Sequence, residues 1–161
     1  MEGNKKFKPR AILVFGAPAS GKTTFCEKFS ARFKAPYYDL DDLRARGGLN
    51  DSQLKLVLEI ISKSGQNIVI EGCLATSTER KVLKRWLKAV GFNPSLVWIQ
   101  TDITTIKSRL KTKLKDVKKA KEVLDTEVAR LEAPTEAEKP IILSGKHTFD
   151  TQLSHTLAQL H

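Results

Sequence analysis

The sequence predicts an α/β fold in which helices cover both faces of a parallel sheet. Short uninterrupted apolar runs, at 11–15, 68–70 and 96–99, are typical of strands that are buried on both sides. Between these runs, apolar side chains recur at helical spacing. Alternating strands and helices favour parallel pairing, because each return to the sheet then runs through a crossover helix.

Turn and capping residues delimit the elements of the first half. The first strand, 11–15, is followed by a helix over 23–33 that places three phenylalanines on one face and ends before Pro36. A second strand is predicted at 37–40. A helix capped within 50–52 and ended by a glycine precedes the third strand.

The second half repeats the same alternation. Residues 76–79 fit a capping box that opens a helix, and Gly91 stops it before the fourth strand. The helix after that strand, capped at 101 or 102, runs into a lysine-rich segment with sparse apolar positions. This segment, about 107–133, is predicted to be a mobile basic lid.

One more strand and one more helix complete the predicted fold. Residues 141–143 form the fifth apolar run. Asp150 is expected to cap the last helix, with Leu153, Leu157 and Leu160 facing the core.

Length and composition predict one ordinary globular domain over 1–161. Of the 161 residues, 40% are hydrophobic and 29% are charged, which is sufficient for a core without disulfide or metal support. Two cysteines, Cys26 and Cys73, are too few for a disulfide framework and are expected to be small buried residues.

Charge and hydropathy indicate where in the cell the protein is located and which kinds of molecule it binds. The formal net charge of +10 favours phosphate-rich partners. Basic residues before the first strand imitate a secretory signal, but the apolar run is about five residues long, whereas a signal core needs about 7–15. No later stretch approaches a membrane span. We therefore expect a cytoplasmic protein without a membrane partner.

The segment 16–23 reads GAPASGKT and matches the phosphate-loop pattern G-x-x-x-x-G-K-[ST]. It follows a predicted buried strand and opens a predicted helix, which is the setting this motif requires. Its glycines allow an anion-binding nest of N–H groups, and the helix N-terminus adds partial positive charge. Lys22 can reach the β- and γ-phosphates, and the Thr23 hydroxyl can hold Mg²⁺. The predicted ATP-binding residues of the loop are Gly16, Ala17, Pro18, Ala19, Ser20, Gly21, Lys22, Thr23 and Thr24.

A second group of chemistry-bearing residues follows the second strand. Asp39, Asp41, Asp42 and Arg44 lie where that strand turns into a helix, at the sheet edge where open α/β folds bind ligands. The chain contains no N-K-x-D or D-x-x-G motif, which argues against a GTPase. With its phosphate loop, acidic strand end and arginine-bearing helix, the chain resembles the small P-loop kinases. These form the nucleoside-monophosphate-kinase-like group, which includes polynucleotide 5′-kinase, zeta-toxin and shikimate or gluconate kinases.

This resemblance implies a strand order of 2-3-1-4-5 and in-line transfer of the γ-phosphoryl group of ATP. It implies that Asp41 is the base that accepts the proton of the attacking hydroxyl, and that Arg44 binds the phosphate of the acceptor. It also implies that Asp39 holds Mg²⁺ through water. Asp42 is expected to be the N-cap of the following helix.

The resemblance also assigns residues in and beyond the lid. Arg109 matches the lid arginine that spans the nucleotide and the transferred phosphate. Relatives often repeat an arginine four residues later, where this chain has Lys113, so that Arg109 or the more distant Arg130 acts in the transition state. Gly145 and Lys146 match the loop that lies against the adenine base.

The sequence leaves the roles of three features undecided. Glu71 either orients the metal shell or caps the next loop, and Arg80 falls where polynucleotide kinases have arginines. The segment 107–121 carries eight basic residues and one acid, and is either a solvated helical face or a funnel for phosphate-rich ligands.

The predicted function is an Mg²⁺- and ATP-dependent kinase acting on a small molecule or nucleotide. A polynucleotide 5′-kinase is the less favoured alternative, because aromatic residues for base stacking are scarce in the basic segment. A non-catalytic nucleotide-binding module is the third. The acceptor and the oligomeric state do not follow from the sequence.

Overall fold

The computed structural model describes residues 7–160 and has an α/β fold around one five-stranded parallel sheet. The strand order is β2-β3-β1-β4-β5, so the predicted fold class and order are confirmed. The five strands are β1 (Arg10–Gly16), β2 (Tyr37–Asp39), β3 (Ile68–Glu71), β4 (Asn93–Gln100) and β5 (Ile141–Ser144).

Seven α-helices connect or follow these strands. They are α1 (Lys22–Phe33), α2 (Leu40–Gly47), α3 (Asp51–Ser62), α4 (Ser77–Ala89), α5 (Ile103–Leu114), α6 (Val117–Val123) and α7 (Phe149–Gln159). A π-helical turn (Leu124–Val128) extends α6, and a short 3₁₀ helix (Glu136–Glu138) precedes β5. None of the helices within residues 7–160 is long and apolar enough to cross a membrane.

The central strand β1 explains why the sheet is covered on both faces. Its side chains alternate, so that Leu13 and Phe15 pack on one face with Leu83 and Leu87 of α4, while Val14 packs on the other with the face of α1. Both faces of β1 are therefore apolar, and its sequence is a continuous apolar run rather than an alternating one.

The capping box that opens α4 is confirmed. Thr76 Oγ1 accepts from the Glu79 N–H, and the Glu79 carboxylate accepts from the Thr76 N–H. The predicted cap of the last helix is wrong, because Thr148 caps α7 instead of Asp150. The buried face of α7 also differs from the predicted one.

Two expected core side chains are exposed. Leu157 of α7 is 47% exposed, whereas Gln152 and Thr156 are buried and each donates a side-chain hydrogen bond to a main-chain carbonyl group. Phe33 is 42% exposed, because it ends α1 beyond the sheet. Helical spacing alone thus misplaced one residue on each helix.

The lid consists of α5, α6 and the π-helical turn, and its few apolar residues form a core of their own. Ile106, Leu110 and Ala120 are buried together against Ala17 of the phosphate loop. The lid is therefore packed directly on the loop, which brings Arg109 next to the predicted nucleotide site.

Candidate active site

The phosphate loop has the backbone geometry of an anion site. Gly21 is the N-cap of α1 with φ +99°, a left-handed conformation that favours glycine. Because glycine has no side chain, it cannot cap the first-turn N–H groups, and these can bind an anion. Lys22 Nζ donates to the carbonyl of Ala17 at 3.3 Å, so the lysine lies across the loop. The loop therefore fits the phosphates of a nucleotide.

A cavity of about 600 Å³ extends from the loop to the segment between β5 and α7. The Arg109 guanidinium bridges its two sides, donating to the carbonyls of Ala19 at 3.1 Å and Gly145 at 3.0 Å. Lys113, one turn further along α5, lines the same cavity. The predicted loop residues that line it are Pro18, Ala19, Gly21, Lys22, Thr23 and Thr24, and Gly145 lies opposite.

Three predicted residues of the nucleotide site do not line the nucleotide cavity. Ala17 and Ser20 are buried within the loop, and Gly16 lines the neighbouring cavity. At Gly145, a side chain would clash with Thr101 Oγ1 and with the carbonyl of Ser20. Only glycine lets the β5–α7 segment approach the phosphate loop this closely.

Glu71 contacts the predicted metal ligand Thr23. The Thr23 hydroxyl donates to Glu71 Oε1 at 2.9 Å, and the Tyr37 hydroxyl donates to Oε2 at 2.5 Å. Glu71 is buried, and its strand neighbour in β2 is Asp39. Burial, together with this carboxylate, raises the pKa of Tyr37, so that its hydroxyl stays a donor.

The donor set at this position fits Mg²⁺. Hydroxyl and carboxylate oxygens are its preferred ligands, and Mg²⁺ is usually held by one or two carboxylates together with substrate phosphates and water. Among residues 7–160, no group of three or more acidic, histidine or cysteine side chains forms a complete metal site. Thr23, Glu71 and Asp39 are the residues that would hold Mg²⁺ if it bound together with a nucleotide, and the ion would supply charge stabilisation.

The expected helix cap among the acids is wrong. Asp39 caps α2, because its Oδ1 accepts from the Asp42 N–H at 3.1 Å. Asp42 lies one turn from Arg46 and pairs with it at 2.8 Å. The difference arises because β2 ends at Asp39, one residue earlier than predicted, so that the N-cap position moves to that residue.

Asp41 lies in a second cavity of about 390 Å³ that shares Lys22 and Pro18 with the first. Its Oδ1 accepts from the Cys73 N–H at 3.1 Å, and the Cys73 thiol lies 3.5 Å away. Burial, reinforced by Asp41, raises the pKa of Cys73 to about 12, so that the thiol stays protonated beside the carboxylate. The loop after β3 thus fixes the orientation of Asp41.

The three predicted arginines occupy different places. Arg109 lies on the nucleotide side, and Arg130 lines the Asp41 cavity, where it pairs with Glu79. Burial alone would raise the pKa of Glu79, but the Thr76 N–H and Arg130 hold it below its ordinary value. Arg44 pairs with Asp51 beside a smaller cavity of about 180 Å³ that adjoins Cys73 and Glu79.

Two residues of the Asp41 cavity escaped the sequence analysis. Thr126 and Glu127 of the π-helical turn line its wall, next to Arg130. A π-helical turn has no recognisable sequence pattern, and the polar residues of this segment resemble those of any solvated helix. No sequence signal could have identified them.

Arg80 supports the cavity wall from behind. Its side chain is completely buried, donates to both Glu138 carboxylate oxygens at 2.7 and 3.3 Å, and stacks at 4.6 Å on the ring of Phe15. Its Nη1 donates to the carbonyls of Leu74, Ala75 and Glu132. The hydrogen bonds from Arg80 hold the Glu138 carboxyl pKa below its ordinary value. In this structure Arg80 is a structural residue.

Comparison with known protein families gives a match over most of the chain. A family model described as an AAA domain matches residues 12–134. The chain belongs to this AAA-domain family. A search of curated proteins finds no match.

Three solved structures illustrate the fold of this family member. A sugar kinase from a Janibacter species is 20% identical, with 93% of each chain covered and a TM-score of 0.69. The APS kinase CysC of Mycobacterium tuberculosis, in complex with AMPPNP and APS, is 14% identical over 94% of this chain and 96% of its own, with a TM-score of 0.69. Kti12 of Chaetomium thermophilum, in complex with ADP-AlF₃, is 13% identical over 90% and 98%, with a TM-score of 0.61. The fold of this chain is thus that of P-loop kinases and related nucleotide-binding proteins.

Proposed function

We propose that the protein transfers the γ-phosphoryl group of MgATP to a hydroxyl or phosphate group of a small molecule. The observation that carries this proposal is the position of Lys22, which lines both the nucleotide cavity and the Asp41 cavity. A phosphoryl group bound by this lysine lies at the junction of the two cavities. An acceptor in the second cavity can then reach it directly.

On the nucleotide side, the loop amides and Lys22 bind the phosphates. Thr23, Asp39 and Glu71 would hold Mg²⁺, which would supply neutralising charge to the bound phosphates. Arg109 now donates to two neutral carbonyls at the cavity wall. It exchanges them for phosphate oxygens when ATP binds, because charge-assisted hydrogen bonds are stronger.

On the acceptor side, Asp41 takes the proton of the attacking hydroxyl. The hydroxyl oxygen forms a bond to the γ-phosphorus, the bond from that phosphorus to the bridging oxygen breaks, and ADP leaves with both electrons of that bond. An acceptor phosphate, being already ionised, attacks without this proton transfer. Arg130, which lines the Asp41 cavity, and Arg44, which lines the smaller one, would bind an anionic group of the acceptor in exchange for their present partners, Glu79 and Asp51.

Label transfer from γ-labelled ATP to a panel of sugars, nucleosides, nucleotides and small phosphorylated metabolites tests the proposal. We expect one class to become labelled in the presence of Mg²⁺, and Lys22→Ala to abolish the labelling. ATP hydrolysis without transfer to any acceptor would instead indicate a nucleotide-binding ATPase module. Absence of both transfer and hydrolysis would contradict the proposal.

A polynucleotide 5′-kinase is the second candidate, and one observation favours it. The lid lysines are exposed, and none of them pairs with a carboxylate within residues 7–160. They are Lys107, Lys111, Lys113, Lys115, Lys118, Lys119 and Lys121.

Salt dependence separates the two candidates. For a nucleic-acid acceptor, log affinity falls with log salt with a slope of about −0.7 for each phosphate contact on a single strand. Reversal of Lys115, Lys118 and Lys119 to Glu would then weaken oligonucleotide binding and flatten this slope. For a small-molecule kinase, we expect weak oligonucleotide binding at physiological salt, and the same reversals mainly alter the apparent ATP affinity.

A further inference from the structure

The side chain of Gln152 lies in the wall of the nucleotide cavity, away from the phosphate loop in sequence. It belongs to α7 and is 6% exposed. Its Nε2 donates to the carbonyl of Ser144, the last residue of β5, at 2.8 Å. A carbonyl can only accept, so the amide group has one orientation, because the flipped form would bring two acceptor oxygens together. Gln152 Oε1 is therefore directed away from Ser144.

This oxygen is an acceptor without a hydrogen-bond partner in the described part of the chain, and it is not fully enclosed by the protein. It has no hydrogen-bond partner among residues 7–160. Within the same residues, the fully enclosed side-chain atoms that lack a partner are Arg10 Nη1 and Ser20 Oγ. Gln152 Oε1 is thus accessible, and the space that Gln152 lines is the nucleotide cavity.

The cavity has two chemically different ends. Lys22, Arg109 and Lys113 supply cations near the phosphate loop. Beyond Gly145, the lining changes to His147, Thr148, Phe149 and Gln152, and the Phe149 ring packs against Phe25 at a centroid distance of 5.9 Å. Lys28 also lines the cavity, with its Nζ 5.9 Å from the centroid of the Phe149 ring, so a cation lies at this end as well. With the phosphates on the loop, the flat base of a nucleotide would reach this second end.

We propose that Gln152 selects adenine by accepting a hydrogen bond from its exocyclic 6-amino group at Oε1. This inference rests on the nucleotide site of the proposed function. Adenine carries a donor at position 6, whereas guanine carries a carbonyl acceptor there, which would oppose Oε1. A buried polar group that is left without its partner is costly, so a base without the 6-amino group binds more weakly.

Two glutamines of α7 provide a test and its control. Gln152→Met keeps the size of the side chain and removes both the acceptor and the bond to Ser144. Gln159→Met alters an exposed glutamine that contacts only the carbonyl of His155. Binding of three probes is measured by titration calorimetry with Mg²⁺: ATP, GTP and purine riboside triphosphate, which lacks only the 6-amino group of ATP.

We expect the unmodified protein to bind ATP about ten-fold more tightly than either other probe, since a hydrogen bond to such a group contributes about one power of ten. In Gln152→Met the ratio of ATP to purine riboside triphosphate affinity falls to about one, whereas in Gln159→Met it is unchanged. The comparison of the three probes in the unmodified protein needs no mutation, so it can be made even if Gln152→Met folds poorly.

Equal binding of the three probes by the unmodified protein would overturn this inference and leave the proposed function standing. An unchanged affinity ratio in a folded Gln152→Met variant would have the same consequence. If none of the three triphosphates bound, the proposed function would fall and the inference with it.

Discussion

The lid is joined to the body of the protein at two ends, and an arginine holds each end in a different way. At the first end, Arg109 is half-buried and donates only to the neutral carbonyls of Ala19 and Gly145. At the last end, just beyond the π-helical turn, the completely buried Arg80 donates to the Glu132 carbonyl, and it is paired with the carboxylate of Glu138 in the following 3₁₀ helix.

We expect this difference to separate a contact that changes when a ligand binds from a permanent one. A buried charge that loses its partner costs about 3–5 kcal/mol, so Arg80 cannot exchange Glu138 for a substrate. Neutral carbonyls at a cavity wall bind a guanidinium less strongly than phosphate oxygens do. We therefore expect variants on the cavity side to alter turnover, and variants around Arg80 to alter stability.

Replacement of Lys22, which lines both cavities, should have the largest effect on turnover. Lys22→Ala is expected to lower turnover by about 10³–10⁵-fold, the range for a cation that acts on the transferred phosphoryl group. The melting temperature should stay the same, because Lys22 contacts only the Ala17 carbonyl. Steady-state kinetics and thermal unfolding check this, with the exposed Lys63→Ala as control. Wild-type turnover in Lys22→Ala would contradict the assignment of the loop.

Replacement of the proposed base is the next test of the cavity side. Asp41→Asn should lower turnover by about 10²–10⁴-fold, the usual range for loss of a general base, and leave MgATP affinity unchanged. Asparagine keeps an oxygen that can accept from the Cys73 N–H, so the loop should stay in place. Asp42→Asn, next to it and paired with Arg46, is the matched control. If Asp41→Asn impaired ATP binding instead, Asp41 would belong to the metal site.

At the permanent contact, Arg80→Met should destabilise the protein by about 3–5 kcal/mol, because Glu138 is left buried without its partner. For a chain of this length, this corresponds to a fall of roughly 10 °C in melting temperature. The exposed Arg85→Met on the same helix is the control, with an expected effect within about 0.5 kcal/mol.

A double variant sharpens this prediction. Arg80→Met combined with Glu138→Leu should recover much of the lost stability, since an apolar replacement of both partners is often neutral. Urea unfolding measures both variants. An Arg80→Met variant as stable as the wild type would show that the pair does not stabilise the fold.

The smallest expected effect concerns pH. The pKa of Glu138 is lowered in the folded protein by Arg80, so the ionised carboxylate contributes stability that is fully present above the ordinary glutamate pKa of about 4.3. This contribution is lost as the pH falls from there through the folded pKa. Urea unfolding between pH 3 and 7 should therefore show a steeper acid loss for the wild type than for Glu138→Gln. Equal slopes would contradict the anchoring role of the ion pair.

Much of the fold follows from local patterns in the sequence. Apolar runs such as 68–70 identify strands, and a capping box identifies the start of α4, because these signals depend only on neighbouring residues. The phosphate loop is recognisable for the same reason, since its glycines, Lys22 and Thr23 act within one turn. The exceptions are the cap of α2 at Asp39 and the exposed Leu157. In both helices the first residue differs from the predicted one, and this changes which residue is the cap or which side chains face the core.

The sequence by itself determined the sheet, its crossover helices and the position of the phosphate-loop motif between β1 and α1. Tertiary structure alone decided that Glu71 meets Thr23, that Cys73 orients Asp41, and that Arg80 finds Glu138 58 residues further along the chain. Each of these pairs joins distant segments, and no local periodicity encodes which polar groups will meet. For Arg80 and Glu138 the pairing follows from burial, because a polar group removed from water must find a partner wherever the packed elements bring one within reach.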